Sequence, residues 1–185
     1  MLRTIIFSVA ALVVLMFVAR SCGITPEQVE SRIILAELNA QEGNAYRAVN
    51  RLRDGVVEFP SGLQVEVLQL GSGPIPLLED WVAVHYRGLH IDGRVFDDTR
   101  RHEDPAIAPV ERTIQGWQQV LVAMPVGSRV RLVIPPQQAY GVAGGGPIGP
   151  EETLVFELEL IAIVDAPKPL ERDALQQAVP GLGSK

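Results

Sequence analysis

The stretch Thr153-Leu154-Val155-Phe156-Glu157-Leu158-Glu159-Leu160-Ile161-Ala162-Ile163-Val164 alternates almost without fault, with Leu154, Phe156, Leu158 and Leu160 falling on one face. Successive side chains of an extended chain point to opposite sides, so this is a strand with one apolar face. Working backwards, Arg129 to Ile134 alternates in the same way and stops at Pro135-Pro136. Trp81-Val82-Ala83-Val84-His85-Tyr86 is a further strand. Asp92-Gly93 is a turn dipeptide, and Val95-Phe96-Asp97 is the return strand of that hairpin. Leu63, Val65 and Val67 alternate with Gln64 and Glu66 between two breakers, Phe59-Pro60-Ser61-Gly62 and Gly71-Ser72-Gly73-Pro74. Asp98 to Pro109 reads as a loop rich in charge and proline, and Trp117 to Met124 has room for one short helix. The expected fold is α+β: an antiparallel sheet of about five strands with a short helix against one face, over residues 61–165.

Ahead of this domain the chain changes character twice. Met1-Leu2-Arg3, an apolar run from Ile5 to Ala19 and then Arg20-Ser21-Cys22-Gly23 have the layout of an export signal over residues 1–22. Three fates fit these residues: retention as a membrane anchor, cleavage after Ser21, or lipidation of Cys22. Each sends the rest of the chain out of the cytoplasm, to a periplasmic location, tethered in the first and third cases. Residues 25–58 read as an amphipathic helix. Thr25 is its N-cap, Pro26 its first residue and Gln28 the partner that completes a capping box. Leu38, Ala45, Val49, Leu52 and Val56 recur at helical spacings. One helix cannot bury such a stripe alone, so it must pack on the domain or on a second copy, and a homodimer is the favoured reading. Residues 166–185 are expected to be a flexible tail with at most one short helix, Leu170 to Val179.

Composition removes most function classes. The chain has 185 residues, 16 Lys+Arg against 22 Asp+Glu and a net charge of -6, which argues against nucleic acid as a partner. One cysteine and three histidines exclude an internal disulfide framework and leave little scope for a metal centre. There is no Gly-x-Ser-x-Gly elbow. The run Gly141-Val142-Ala143-Gly144-Gly145-Gly146 lacks the following helix that a dinucleotide would need. His85 and His90 have no recognised ligand spacing, and the adjacent acids Asp97-Asp98 and Glu151-Glu152 point opposite ways on extended chain.

What remains is a series of phrases in one order: Val84-His85-Tyr86-x-Gly88, Asp92-Gly93-x-x-Phe96-Asp97, Ile114-x-Gly116-Trp117 and Met124-x-x-Gly127. Then come Ile134-Pro135-Pro136, Ala139-Tyr140-Gly141, Pro147-Ile148-Gly149-Pro150 and Thr153-Leu154-Val155-Phe156. This series closely resembles the FKBP family of peptidyl-prolyl cis-trans isomerases. The preceding helical segment and Pro60-Ser61-Gly62-Leu63-Gln64 are similar to its secreted macrophage-infectivity-potentiator branch, in which such a segment mediates dimerisation.

The resemblance implies a half-barrel, a curved sheet wrapped on a short helix, with a substrate proline in an aromatic cleft between them. It implies Tyr86, Phe96, Asp97, Ile114, Trp117, Tyr140 and Phe156 as that cleft, and no cofactor or metal. Five of the eight aromatic residues outside the export segment fall on those positions, although for Phe156 the sequence does not separate lining from core. The implied roles are Trp117 as the floor under the proline ring, with the Ile114 N–H and the Tyr140 hydroxyl as donors to substrate carbonyls. Asp97 orients Tyr86 or polarises the pocket. The implied partners are proline-containing polypeptides and, as an inhibitor class, macrolides.

The sequence also departs from its relatives. Ala106 and Ala108 occupy a segment where a phenylalanine is frequent, Thr113 replaces a frequent valine, and Gly144-Gly145-Gly146 removes side chains over the pocket. A cleft shallower on one wall follows, which bears on substrate preference and macrolide binding more than on basic activity. The rival reading is a non-catalytic, peptide-binding chaperone module.

Overall fold

The protein is represented by a computed structural model that describes residues 25–101 and 104–166. The export segment with Cys22, and the tail beyond 166, lie outside the described residues. Helix α1 spans Pro26–Asn50 and starts as the sequence predicts. Thr25 Oγ1 accepts from the Gln28 N–H, and Gln28 Oε1 accepts from the Thr25 N–H, a complete capping box with Pro26 behind it.

The helix ends eight residues before the boundary at 58 that its apolar spacing suggested. Gly55 adopts φ 79°, a conformation that favours glycine. Val56–Glu58 then forms strand β1, paired antiparallel with β2, Gln64–Gln69. Val56 and Val57 prefer extended backbone, and a sheet edge is there to receive them.

The remaining strands are β3 (Trp81–His90), β4 (Val95–Asp98), β5 (Ala106–Pro109), β6 (Arg129–Ile134) and β7 (Leu154–Val164). They form one antiparallel seven-stranded sheet in the order β1-β2-β6-β7-β3-β4. Strand β3 carries β5 on its first half, through Trp81 to Val84, and β4 on its second half, through Arg87 to Leu89. The sheet therefore has two strands more than the alternation revealed. Both are short edge strands, and β5 lies inside the stretch that composition marked as loop. A residue or two of alternation is too weak a signal, and their partners decide that they are extended. The hairpin at Asp92-Gly93 forms as expected, with Gly93 at φ 88° and the His90 N–H donating to the Arg94 carbonyl.

Helix α2 spans Gln115–Leu121, starting two residues earlier than the apolar run suggested, with Ile114 as its N-cap residue. Gly116 permits its close approach to β6, since a Cβ there would lie 2.7 Å from Ile134 Cγ2. Leu154, Phe156, Leu158 and Leu160 of β7 are all at most 3% exposed, so the alternating face is the core face. They pack with Trp117, Val120 and Leu121 of α2 inside the curve of the sheet.

Helix α1 does pack on the domain, but by a polar seam. Asn50 Nδ2 donates to Gln64 Oε1 at 2.8 Å, Arg131 Nη2 to the Tyr46 hydroxyl at 2.8 Å, and Gln64 Nε2 to the Arg47 carbonyl at 2.9 Å. The part of the apolar stripe that is helical remains in solvent, with Leu38 at 47% and Val49 at 70% exposure, while Leu52 falls in the turn past the helix end.

Candidate functional site

Between α2 and the hollow of the sheet lies a cleft of about 250 Å³. Tyr86, Phe96, Asp97, Ile114, Trp117, Tyr140 and Phe156 all line it, together with Val84, Ala106, Ala108, Arg112 and Thr113. β3 supplies Val84 and Tyr86, β4 supplies Phe96 and Asp97, and β7 supplies Phe156. α2 and its cap supply Trp117 and Ile114. Tyr140 comes from the turn after β6. Each arrives from a separate segment, which is why their proximity is a property of the tertiary structure.

Phe156 is the hub. Its ring meets Trp117 at 5.4 Å and 82°, Phe96 at 5.6 Å and 86°, and Tyr86 at 6.3 Å and 59°. Tyr86 in turn meets Trp117 edge-on at 5.0 Å. Such edge-to-face contacts place a positive ring edge on a negative ring face and hold each ring in one orientation. Phe156 is therefore both core and lining, at 3% exposure. The cluster needs Gly88: a Cβ there would lie 2.5 Å from the Phe96 ring and 3.0 Å from the Phe156 ring.

Polar groups are few and largely committed. The Tyr86 hydroxyl donates to Asp97 Oδ2 at 2.5 Å. Burial, and then the bond to Asp97, push the Tyr86 phenol well above its ordinary pKa, so it stays a neutral donor. Thr99 Oγ1 accepts from the Tyr86 N–H at 2.8 Å and donates to the Tyr86 carbonyl at 3.2 Å, pinning that backbone. The Thr113 hydroxyl donates to the Val110 carbonyl. Among the described residues the Ile114 N–H has no acceptor and the buried Trp117 Nε1–H has none. Arg112 and Thr99 belong to the site or its support and were not singled out in the sequence, and Val84 was quoted there only as part of a phrase and not as a cleft residue. Only a pairing register places Thr99 beside Tyr86, and nothing in local pattern signals it.

The open side of the cleft follows from small residues. Ala106 and Ala108 form part of the wall, and none of Gly144, Gly145 and Gly146 reaches it. Tyr140, 42% exposed, is the rim on that side. Behind it, Glu152 accepts from the Gly149 N–H at 2.7 Å and is paired with His90, whose ring lies 5.3 Å from Phe96.

A curved antiparallel sheet wrapped on one short helix, with an aromatic cleft between them, defines an FKBP-type domain. The chain belongs to the FKBP-type peptidyl-prolyl cis-trans isomerase family, whose profile matches residues 73–161. Among relatives, it is 42% identical over 132 residues to the "Outer membrane protein MIP" of Legionella longbeachae, covering 71% of this chain and 57% of that protein. It is 47% identical over 126 residues to the FKBP-type 22 kDa peptidyl-prolyl cis-trans isomerase of Escherichia coli, covering 68% of this chain and 61% of that one. The crystal structure of FkpA from Escherichia coli is similar with a TM-score of 0.74 at 33% identity, over 85% of this chain and 73% of that chain. The chain thus spans rather more than half the length of the curated relatives it matches.

Proposed function

We propose that this protein catalyses rotation about X-Pro bonds in proline-containing polypeptides of the cell envelope. The observation that carries the reading is the cleft itself: a mostly apolar, aromatic hollow lined by Trp117, with an Ile114 N–H at its edge that has no acceptor among the described residues. A planar prolyl amide is separated from its isomer by about 18–20 kcal/mol, because rotation destroys the C–N double-bond character. The twisted amide has a less polar, more ketone-like carbonyl. An apolar pocket therefore favours it over the planar form, which water solvates well. Ile114 and Tyr140 hold the flanking carbonyls, and Asp97 fixes the Tyr86 hydroxyl in the pocket wall. Shortening about 10–100 s to milliseconds takes about 10⁴-fold, or roughly 5.5 kcal/mol of preferential stabilisation. No nucleophile or cofactor is required.

The envelope location rests on the reading of residues 1–22 and on the name of the Legionella relative, an outer membrane protein. Tethering by that segment, or by a lipidated Cys22, is part of the proposal. So is a homodimer through the exposed stripe of α1, in which Leu38, Ala45 and Val49 follow one another at seven- and four-residue steps. Macrolides, as inhibitors of this cleft, have to bind against a wall thinned at Ala106 and Ala108. A holding activity toward unfolded chains is the second reading, favoured by the same exposed stripe. The deciding experiment follows cis/trans exchange of a proline-containing tetrapeptide with and without the protein. Catalysis is expected, with a marked loss in Asp97→Ala. Suppression of aggregation with no acceleration of exchange would favour the second reading.

A further inference from the structure

The segment that follows Tyr140 is poor in side chains. Residues 141–152 include Gly144-Gly145-Gly146, and Ile148 is their buried apolar anchor. The loop closes on itself: the Glu151 N–H donates to the Gly141 carbonyl at 3.0 Å, and Gly145 and Ile148 exchange backbone bonds at 2.9 Å. Its inner side lies beside Tyr140, close enough that a Cβ on Gly145 would come within 3.2 Å of Tyr140 Cδ1. Glycine backbone has more conformational freedom to lose than any other, so a loop of this composition needs outside support to hold one shape.

Helix α1 supplies that support. Arg32 Nη2 donates to the Ala143 carbonyl at 2.7 Å, and Asn39 Nδ2 donates to the Pro150 carbonyl at 2.8 Å. Further along, Arg47 Nη1 donates to Thr153 Oγ1 at 2.5 Å. Gly43 lets the helix settle onto the loop's end, because a Cβ there would lie 2.3 Å from Thr153 Oγ1. Arg32 and Asn39 are a heptad apart, and Gly43 and Arg47 follow at four-residue steps, so all four share one face of the helix. That face is the one the apolar stripe does not use. The protein thus has a continuous contact path from α1, through two carbonyls of a glycine-rich loop, to the ring at the rim of the cleft.

We propose that Arg32 and Asn39 are positioning residues of the cleft. Through the Ala143 and Pro150 carbonyls they fix the loop on which the Tyr140 ring rests, so α1 forms part of the substrate site and is more than a spacer or dimerisation arm. The inference deepens the isomerase reading and rests on it. Tyr140 binds substrate in both the planar and the twisted state, so loss of the brace acts on KM more than on kcat.

The test uses the full chain, a proline-containing tetrapeptide and the double variant Arg32→Ala/Asn39→Ala, with Arg32→Lys as the conservative variant. KM is expected to rise about fivefold in the double variant, the effect of losing one hydrogen bond of ordinary strength, with kcat within about twofold. Amide exchange over 143–149 is expected to accelerate, and Arg32→Lys to retain a near-normal KM. In a Tyr140→Phe background the same two substitutions should add less than about twofold, because the hydroxyl they position is gone. Unchanged KM and exchange in a folded double variant would overturn the inference, as would an equal loss in the Tyr140→Phe background. If the double variant does not fold, Arg32→Ala alone, which removes an exposed bond, gives the same discrimination. A chain that is inactive before any substitution overturns the isomerase reading instead, so the two failures are distinct.

Discussion

Replacing Trp117 by leucine removes the floor of the cleft while keeping an apolar side chain at a position only 7% exposed. Two edge-to-face contacts disappear, with Tyr86 at 5.0 Å and Phe156 at 5.4 Å. At about 0.5–1.5 kcal/mol each, they account for about 1–3 kcal/mol. The smaller side chain also buries roughly 60–80 Å² less apolar surface, or about 2 kcal/mol. Folding stability should therefore fall by about 3–5 kcal/mol, no more than the low end of the ~5–15 kcal/mol typical of a domain. A proline ring that loses its flat platform gives up about 1.5–3 kcal/mol of contact in the twisted state, so kcat/KM should drop about tenfold to a hundredfold. Exchange of a proline-containing tetrapeptide gives the rate, and denaturant unfolding of the same sample gives the stability. A folded Trp117→Leu protein with wild-type kcat/KM would refute the assignment of Trp117 as the platform. A variant with intact stability would refute the packing argument.

The raised pKa of Tyr86 predicts a stability trend at high pH. Because its folded value lies above the ordinary 10.0, its contribution is complete below pH 10 and is lost as pH rises toward the folded value. Tyr86→Phe should flatten that alkaline decline, and unfolding curves at pH 8 to 11 measure it; an unchanged slope sinks the attribution. Charges on the stripe should break a dimer that uses it: Leu38→Lys/Val49→Lys is expected to sediment as a monomer with normal peptide activity. A wild-type chain that is monomeric at every concentration would remove the dimer reading.

The strongly alternating strands, the capped start of α1 and the hairpin could be named before any coordinates, because each carries a local signature; the residues of the cleft could be named only through the family resemblance. Period-two burial in β7 and the Thr25 and Gln28 reciprocal bonds depend on residues close in sequence. What the sequence could not decide is where weak local preference meets a partner. Val56 continued a helical spacing, yet Gly55 and the edge of β2 make Val56–Glu58 a strand. Ala106–Pro109 looked like loop until the first half of β3 paired with it.

The amphipathic stripe of α1 determined, by itself, that this helix has an apolar side needing a partner, the domain or a second copy, and the structure leaves that side in solvent. The stripe was silent about Arg32, Asn39 and Gly43, because a charge, an amide and a glycine at helical spacing look like an ordinary solvated face. Only the tertiary structure brings backbone carbonyls from more than a hundred residues away against them. Local pattern encodes which residues are buried or extended. Long-range pairing of polar side chains with main-chain carbonyls leaves no periodic trace, since any loop offers the same acceptor.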